Sequence, residues 1–519
     1  MTVANPTRHA QVVVVGCGPT GATAAISLAR HGLEVLVLER WPEPYPLPRA
    51  VHFDDEVFRI FADLGIAAEL AAISRPAPGM QLVDRRLRTL ATFRRDTANA
   101  PFGHPRANMF DQPDLERLLR RRMAEFDAIT VVSDVEVVGI DQPRRPGDAT
   151  TVRARRVSDG SPFTVTADAV LGCDGANSTV RTLIGAALDD LGFEQSWIVV
   201  DVTSRVPLDV YDGVQQVCDP DRAATFMMVT PGRYRWEFRL RDGEIADDLT
   251  DDVVAQLVQP WLGGVDPAKL TVVRRTWYTF RGAVADHWRH QRVFLLGDAA
   301  HLTPPFIGQG LCAGVRDAAN LAWKCAAVLR GEADDRLLAT YEQERRPLAV
   351  DVVKLAIAVG WVMTGGSRRT GALRRALLAA AARLPGVEGK VVDTVMPSVP
   401  RGRLVGEHRA AGRLLPKTLA AGGTSDDVLG PGWAIVTSAP ALLEAFEPAL
   451  REFFTGLGTR VVHADRRDPV LARLADFLDD TGARAVLVRP DRVAAAAGDR
   501  PALRLWREQL RAAGYGGRS

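Results

Sequence analysis

The chain has 519 residues, with 65 Lys plus Arg against 63 Asp plus Glu and a formal net charge of +2. That length holds about two to four domains with large buried cores, and the ordinary composition excludes disordered, collagenous and disulfide-stapled classes. The charge is nearly balanced and the arginines are scattered, so neither nucleic acid nor a membrane surface is indicated as a partner.

The first apolar stretch is short and follows Asn5, Pro6 and His9, which argues against a signal peptide. Residues 355–363 are too few to span a bilayer, and arginines flank the Ala-rich 377–384, so no transmembrane helix is expected. Cytoplasmic residence is the default. Cys17, Cys173, Cys218, Cys312 and Cys325 form an odd set without C-x-x-C spacing. They read as reduced packing residues, with neither a disulfide framework nor a metal site.

Residues 11–15 form an apolar strand that runs into Gly16-Cys17-Gly18-Pro19-Thr20-Gly21, a helical pattern, a second apolar run at 34–38, and Glu39. In that order Gly16 permits the tight bend, Gly18 lets backbone approach a pyrophosphate, and Gly21 lets helix pack on strand. The first N–H groups of the helix then face the phosphates, with the positive end of the helix dipole behind them. Glu39, on the order of 20 residues past the glycines, can accept the ribose hydroxyls.

Farther on, 114–123 is helical in period, and 130–140 and 151–157 are strand-like. Val170-Leu171-Gly172-Cys173-Asp174-Gly175 is a buried strand ending in Asp-Gly, where Asp174 serves either a nucleotide or a turn. Between about 191 and 280 the texture changes to longer strands at 198–206, 224–230, 234–240 and 272–280, which suggests an inserted antiparallel sheet. The strand 292–296 then delivers Gly297-Asp298-Ala299-Ala300-His301, placing a carboxylate at a strand end, where open α/β sheets bind ligands. Pro304-Pro305-Phe306-Ile307-Gly308-Gln309-Gly310-Leu311 leads into a helix at 311–329. Ala313 in the sixth place and the preceding prolines rule out a second dinucleotide fingerprint. Free N–H groups near Gly310 and Leu311 would stabilise negative charge on a bound ring.

Residues 351–384 read as helical and 386–432 as a loop-rich linker. Beyond it, short strands at 433–437, 460–462 and 484–488 alternate with helical patterns at 441–454, 470–479 and 502–512. This small α/β domain has no cysteine, so even a thioredoxin-like shape cannot run dithiol chemistry. The expected domains are 1–190 with 281–350 for the nucleotide, 191–280 for the substrate, a helical segment at 351–400, and 401–519.

The three motifs, in this order and with a β-rich insertion between the second and third, resemble class A flavoprotein aromatic hydroxylases of the para-hydroxybenzoate hydroxylase fold. The likeness is strong over 12–347. Within that family, Arg49-Ala50-Val51, Gln112-Pro113-Asp114-Leu115-Glu116, Cys218-Asp219-Pro220, Trp236-Glu237-Phe238 and Tyr278-Thr279-Phe280 are most similar to 3-(3-hydroxyphenyl)propionate hydroxylases. So is the block from Arg316 to Lys324. The resemblance implies an α/β chain with three parts. These are an FAD-binding Rossmann-like domain of glutathione-reductase type, an inserted antiparallel β-sheet substrate domain, and a C-terminal thioredoxin-like α/β domain.

It also implies FAD, with NADH or NADPH as reductant. Gly16, Gly18 and Gly21 would hold the pyrophosphate, Glu39 the adenosine ribose, Arg49 and Gln112 further parts of the cofactor, and Asp298 the ribitol. Gly310 and Leu311 would lie near the flavin N1 and C2 carbonyl, and Asp174 would match the motif shared by FAD and NAD(P)H. Pro19, Thr20, Arg40, Pro305 and Gly308 complete the implied cofactor set. The implied reaction is hydroxylation of a phenol, 3-(3-hydroxyphenyl)propionate or a relative, through a flavin C4a-hydroperoxide. Oxygen is inert toward a phenol until reduced flavin activates it, and the protein supplies position and a dry pocket. A phenol of pKa ~10 is a poor nucleophile when neutral, so a base or relay should ionise it. No base is assigned: the candidates are His301 and Pro304, with His301 the more natural structural hydrogen-bonder. Phe226, Met228, Trp236 and Phe238 are expected to line the ring pocket.

Expected partners are a small aromatic substrate and molecular oxygen, with a homodimer as the assembly to test. Three alternatives stand beside this reading. They are a tailoring hydroxylase or Baeyer–Villiger oxygenase of a larger polyketide-like aromatic, a flavin reductase, and a non-catalytic binding protein on the same nucleotide fold.

Overall fold

A computed structural model of the protein describes residues 9–47, 49–95, 100–143, 145, 148–241, 243–245, 249–364, 397–439, 441, 447–498 and 500–516. The valine-rich strand β1 (His9–Val15) turns into α1 (Pro19–Arg30) and returns as β2 (Val35–Leu38), which pairs parallel with it. Both strands are continuous apolar runs because helices cover both faces of a parallel sheet. β3 (His52–Asp54) and α2 (Asp55–Asp63) follow, with Asp54 accepting the Val57 N–H as the helix cap. Next come the hairpin β4 (Gly79–Val83) and β5 (Thr89–Arg94), helix α3 (Gln112–Met123), and strand β6 (Ile129–Val132). The strand-like stretch 130–140 is broken at Asp134, whose φ of 62° ends one strand before Val135–Asp141 begins. β7 (Pro162–Gly172) lies beside β1 and leads through Asp174 into the short α4 (Thr179–Leu183).

The second sheet is built on the long strands β8 (Leu188–Ser204), β9 (Val214–Val217), β10 (Ala224–Thr230) and β11 (Arg233–Arg239). Helix α5 (Asp251–Val258) precedes its last long strand, β12 (Leu270–Ala285). The spatial order runs β12-β8-β11-β10-β9-β4-β5, so the inserted sheet is wider than 191–280. It borrows the hairpin β4–β5 from the first domain, because β9 would otherwise leave an open edge there. One face of this sheet, carrying Phe226, Tyr234, Trp236 and Phe238, packs with Val254, Val258 and Trp261 into a closed satellite core.

β13 (Val293–Leu295) completes the nucleotide sheet beside β7 and precedes α6 (Gly310–Leu329) and α7 (Arg336–Thr364). The helix expected from 351 starts at Arg336 and runs to Thr364; the remainder of that expectation lies outside the described residues. The C-terminal domain holds β14 (Ala434–Thr437), α8 (Pro448–Gly456), β15 (Arg460–His463), α9 (Ala472–Thr481), β16 (Ala485–Val488), β17 (Ala494–Gly498) and α10 (Arg500–Ala512). The first residues of the helical pattern expected from 441 lie mostly outside the described residues. Strand order is β15-β14-β16-β17, with β14 parallel to β15 and antiparallel to β16.

Two buried charge clusters fasten this domain to the rest. Glu344 of α7 accepts two hydrogen bonds from Arg489, at 2.8 and 2.9 Å, and one from Lys324 of α6 at 2.8 Å. Arg59 of α2 donates to both oxygens of Asp426, at 2.8 and 2.5 Å, and to the Leu415 carbonyl. Burial alone would raise the Glu344 carboxyl, but Arg489 and Lys324 hold it down at about 2. A carboxyl depressed in the folded state contributes stability above its unfolded value and loses it as pH falls through the folded one. Stability is therefore expected to fall by about 3 kcal/mol as pH drops from 4.5 to about 2 through this group, checked by denaturant unfolding across that range. Glu344→Ala, which strands two buried cations, should cost about 3–5 kcal/mol in the same assay at neutral pH.

Candidate functional site

The turn after β1 is forced by two close approaches. Gly16 has φ +98°, and a Cβ there would lie 2.5 Å from the Cys173 carbonyl oxygen; a Cβ on Gly21 would lie 2.0 Å from the Gly16 carbonyl oxygen. Helix α1 starts at Pro19 with Gly18 at the cap position and no capping side chain, so its first N–H groups have no side-chain acceptor. An added Cβ on Gly18 would meet no atom within 4 Å, so that end opens onto free space. Glu39, at the end of β2, accepts the Cys17 N–H at 2.6 Å and the Trp41 N–H at 2.9 Å, which fixes the carboxylate beside the glycine turn. Burial pushes the Cys17 thiol up to about 12, in keeping with a packing residue.

The Asp298 turn and the start of α6 meet this point from the other side. A Cβ on Gly297 would lie 2.9 Å, and one on Gly314 2.3 Å, from the Thr20 Oγ1. Three elements distant in sequence thus converge on Thr20, and only glycine fits at two of them. Like α1, α6 begins without a capping side chain, and a Cβ on Gly310 would meet nothing within 4 Å. Asp298 is exposed to this space, yet the protein crowded around it pushes its carboxyl above the ordinary range, against the pull of His301 and Arg49.

Consecutive residues of α6 anchor the two loops. Asp317 accepts the Gly297 N–H at 3.1 Å, pairs with His301 Nε2 at 2.7 Å and takes Arg345 Nε at 2.8 Å. Burial would raise this carboxyl, but Arg345 and His301 hold it below the usual range, so it stays ionised. Arg316 donates to Asp54, Glu56 and the Gln309 side chain at 2.6, 2.7 and 3.0 Å, and Gln309 donates to Asp54 at 3.1 Å. Sequence reasoning missed this pair. Asp54, an acidic cap ahead of a helix, was its one local signal.

Other expected residues fall as follows. Gln112 accepts the Ala50 N–H at 2.7 Å, holding the segment that carries Arg49, and the Arg49 guanidinium lies over the Tyr45 ring at 4.5 Å. Pro305 opens a 3₁₀ turn that ends at Gly308, whose φ of 64° sets it against His52. Leu311 is half-buried at the start of α6, Pro304 is buried, and Arg40 lies on the surface over Trp41. Asp174 accepts from Ser178 Oγ at 2.5 Å and from the Val180 N–H at 3.0 Å, so both oxygens cap the following turn. His301 is completely buried beneath the strand end, where it positions Asp317.

The ring-pocket expectation for Phe226, Met228, Trp236 and Phe238 is corrected by strand parity. All four belong to the satellite core with Trp261, away from the nucleotide domain. The opposite face presents Trp197, whose ring packs 5.7 Å from that of Phe306, and Met227 and Val229, which pack on Val51 and Met109. It also presents Arg235, which donates to the Arg49 carbonyl at 2.5 Å and to both oxygens of Asp201. Thr225 and Glu237 stand opposite one another on the same face.

Residues 9–356 match the family described as FAD binding domain, and 420–513 match the HcaD C-terminal domain. The chain is 34% identical over 460 residues to a probable NADH-specific resorcinol 4-hydroxylase of Rhodococcus jostii (strain RHA1), covering 88% of this chain and 84% of the relative. It is 34% identical over 525 residues to a 3-(3-hydroxy-phenyl)propionate/3-hydroxycinnamic acid hydroxylase of Burkholderia cenocepacia (strain HI2424), covering 96% and 95%. Among solved structures it is similar to aklavinone-11 hydroxylase in a ternary complex with FAD and aklavinone, at TM-score 0.78, 24% identity and coverage of 98% and 99%.

Gly21→Ala forces a methyl onto a backbone oxygen and should destabilise the protein by about 1–3 kcal/mol. Thermal unfolding of the variant beside the wild type checks this.

Proposed function

Because the chain belongs to the FAD binding domain family and is an FAD-dependent aromatic monooxygenase, we propose that it hydroxylates a simple phenol with NADH and oxygen. The substrate class is a meta-substituted phenol of the size of resorcinol or 3-(3-hydroxyphenyl)propionate, after the names of the relatives at 34% identity. The structural neighbour named for aklavinone, at 24% identity, speaks for the fold alone. NADH as the reductant follows the name of the Rhodococcus relative.

The observation that carries this reading is the convergence of α1, the Asp298 turn and α6 at Thr20, with both helix N-termini open and uncapped. That donor set fits FAD. The N–H groups around Gly18 would take the pyrophosphate, with Glu39 on the ribose, Asp298 on the ribitol hydroxyls, and the N–H groups of Gly310 and Leu311 at the anionic edge of the ring. Arg49 and Gln112 would border the same groove. When bound, FAD would supply the redox chemistry that activates oxygen, with NADH as the electron source. The chain's own share is positioning. Asp317 and Arg316 hold the two loops rigid, and the Trp197 and Phe306 rings close an apolar, water-poor wall.

We read the C-terminal domain as thioredoxin-like, supported by its β15-β14-β16-β17 order with one parallel and two antiparallel pairings. It contains no cysteine, and its buried ion pairs to α2 and α7 give it a bracing role. Cytoplasmic residence and a homodimer remain part of the proposal.

Incubating the purified protein with NADH, oxygen and either resorcinol or 3-(3-hydroxyphenyl)propionate should yield a product heavier by one oxygen atom. A ring-expanded ester, flavin reduction without product, or a colourless protein that takes up no flavin would overturn the reading. Asp298→Ala removes charge-assisted hydrogen bonds worth about 1.5–3 kcal/mol each and should lower FAD retention at least tenfold. Flavin absorbance after dialysis measures it.

A further inference from the structure

We propose that Glu237 is the base that receives the proton of the substrate's ring hydroxyl, an assignment that rests on the phenol-hydroxylase reading above. On β11, Arg235, Glu237 and Arg239 share the face turned toward the nucleotide domain. Arg235 is tied to the Arg49 carbonyl at 2.5 Å, and Arg239 to the carbonyls of Thr364 and Pro220 at 3.1 and 3.0 Å. Glu237 is therefore held mid-span between the Arg49 segment and the end of α7. It stands directly opposite Thr225 on β10 and Val199 on β8. Thr225 is itself engaged, donating to Gln216 Oε1 at 2.8 Å.

The Glu237 side chain is only 10% exposed, and its closest charged partner is Arg235 Nη1 at 3.9 Å, beyond hydrogen-bond length. Among the described residues no donor reaches it. A buried carboxylate without a donor is unfavourable unless a ligand supplies one, and a phenolic O–H is such a donor. The charged groups on the elements around it are Arg235 and Arg239 on its own strand, Asp201 on β8, Arg274 on β12, and Arg49 ahead of β3. Arg235 is already bidentate with Asp201. Burial pushes the Glu237 carboxyl up to about 7, with Arg235 pulling it down and Asp201 adding to the rise. A base near neutrality is best matched to proton transfer at physiological pH.

In the step, the phenol O–H bond breaks, its electron pair stays on the phenolate oxygen, and the proton goes to a Glu237 carboxylate oxygen. The phenolate so formed is the more electron-rich form of the ring, and the proton passes from Glu237 to solvent when product leaves.

The test uses flavin-loaded wild type, Glu237→Gln and Glu237→Asp, with two readouts. The first is binding of 3-nitrophenol, whose ionised form absorbs at longer wavelength than the neutral one. Wild type should bind it as the phenolate at pH values where the free probe is neutral, while Glu237→Gln should bind it neutral. The second is resorcinol hydroxylation in a single turnover. It should fall roughly 100-fold or more in Glu237→Gln at pH 7, recover as pH approaches the phenol's own pKa, and return in part in Glu237→Asp. Equal probe ionisation in wild type and Glu237→Gln, or an unchanged pH profile, overturns the assignment. If Glu237→Gln does not retain flavin, wild type alone decides: a bound probe that titrates like the free one overturns the proposal. A wild type that ionises the probe but hydroxylates no phenol refutes the reaction reading while leaving the base assignment supported.

Discussion

The structure depends on a row of buried charged and polar groups along α6. Asp317, Asn320 and Lys324 lie three, four and seven residues apart on one helix face, all nearly or wholly buried. Asp317 takes the N–H of Gly297, and Lys324 meets Glu344 and, through it, Arg489 of the C-terminal domain. Removing charges from water is costly, and the cost is offset only when each group finds several partners in fixed geometry. A helix held this way cannot slide, so the loops at its N-terminus keep their position relative to the nucleotide turn.

That rigidity is what the reaction class asks of the protein. The cofactor carries the hard chemistry, and in the proposed placement the chain would hold two uncapped helix ends, a carboxylate and an aromatic wall around it. Arg316 and Asp317, adjacent in sequence, point to different partners and so brace both the Gln309 and the Asp298 loops from one turn of helix. His301 sits close to Asp298 and takes part in this bracing through Asp317. Its ring is completely buried, and its Nε2 is committed to Asp317.

The C-terminal domain is welded on by the same means. Arg59–Asp426 and Glu344–Arg489 each join residues more than a hundred positions apart, and both pairs are almost fully out of solvent. In a sequence these residues look like ordinary solvated charges. Nothing local distinguishes Arg489 from the many surface arginines of this chain, because a buried charge is made by its distant partners.

What the sequence determined by itself was whatever depends on neighbours along the chain. The β1 run, the glycine turn, Glu39 and the strand end at Asp298 were all legible, since backbone bends and close approaches demand particular residues at particular spacings. The alternation of the β10 and β11 side chains was legible too, because a strand's period of two is covalent geometry. Which of the two faces turns toward the Arg49 segment was decided only by the tertiary structure. Phe226, Trp236 and Phe238 lie under α5, while Thr225, Arg235 and Glu237 look toward Arg49. Aromatic character does not reveal this, for the choice of face is set by what distant segments cover: α5 on one side and the Arg49 segment on the other.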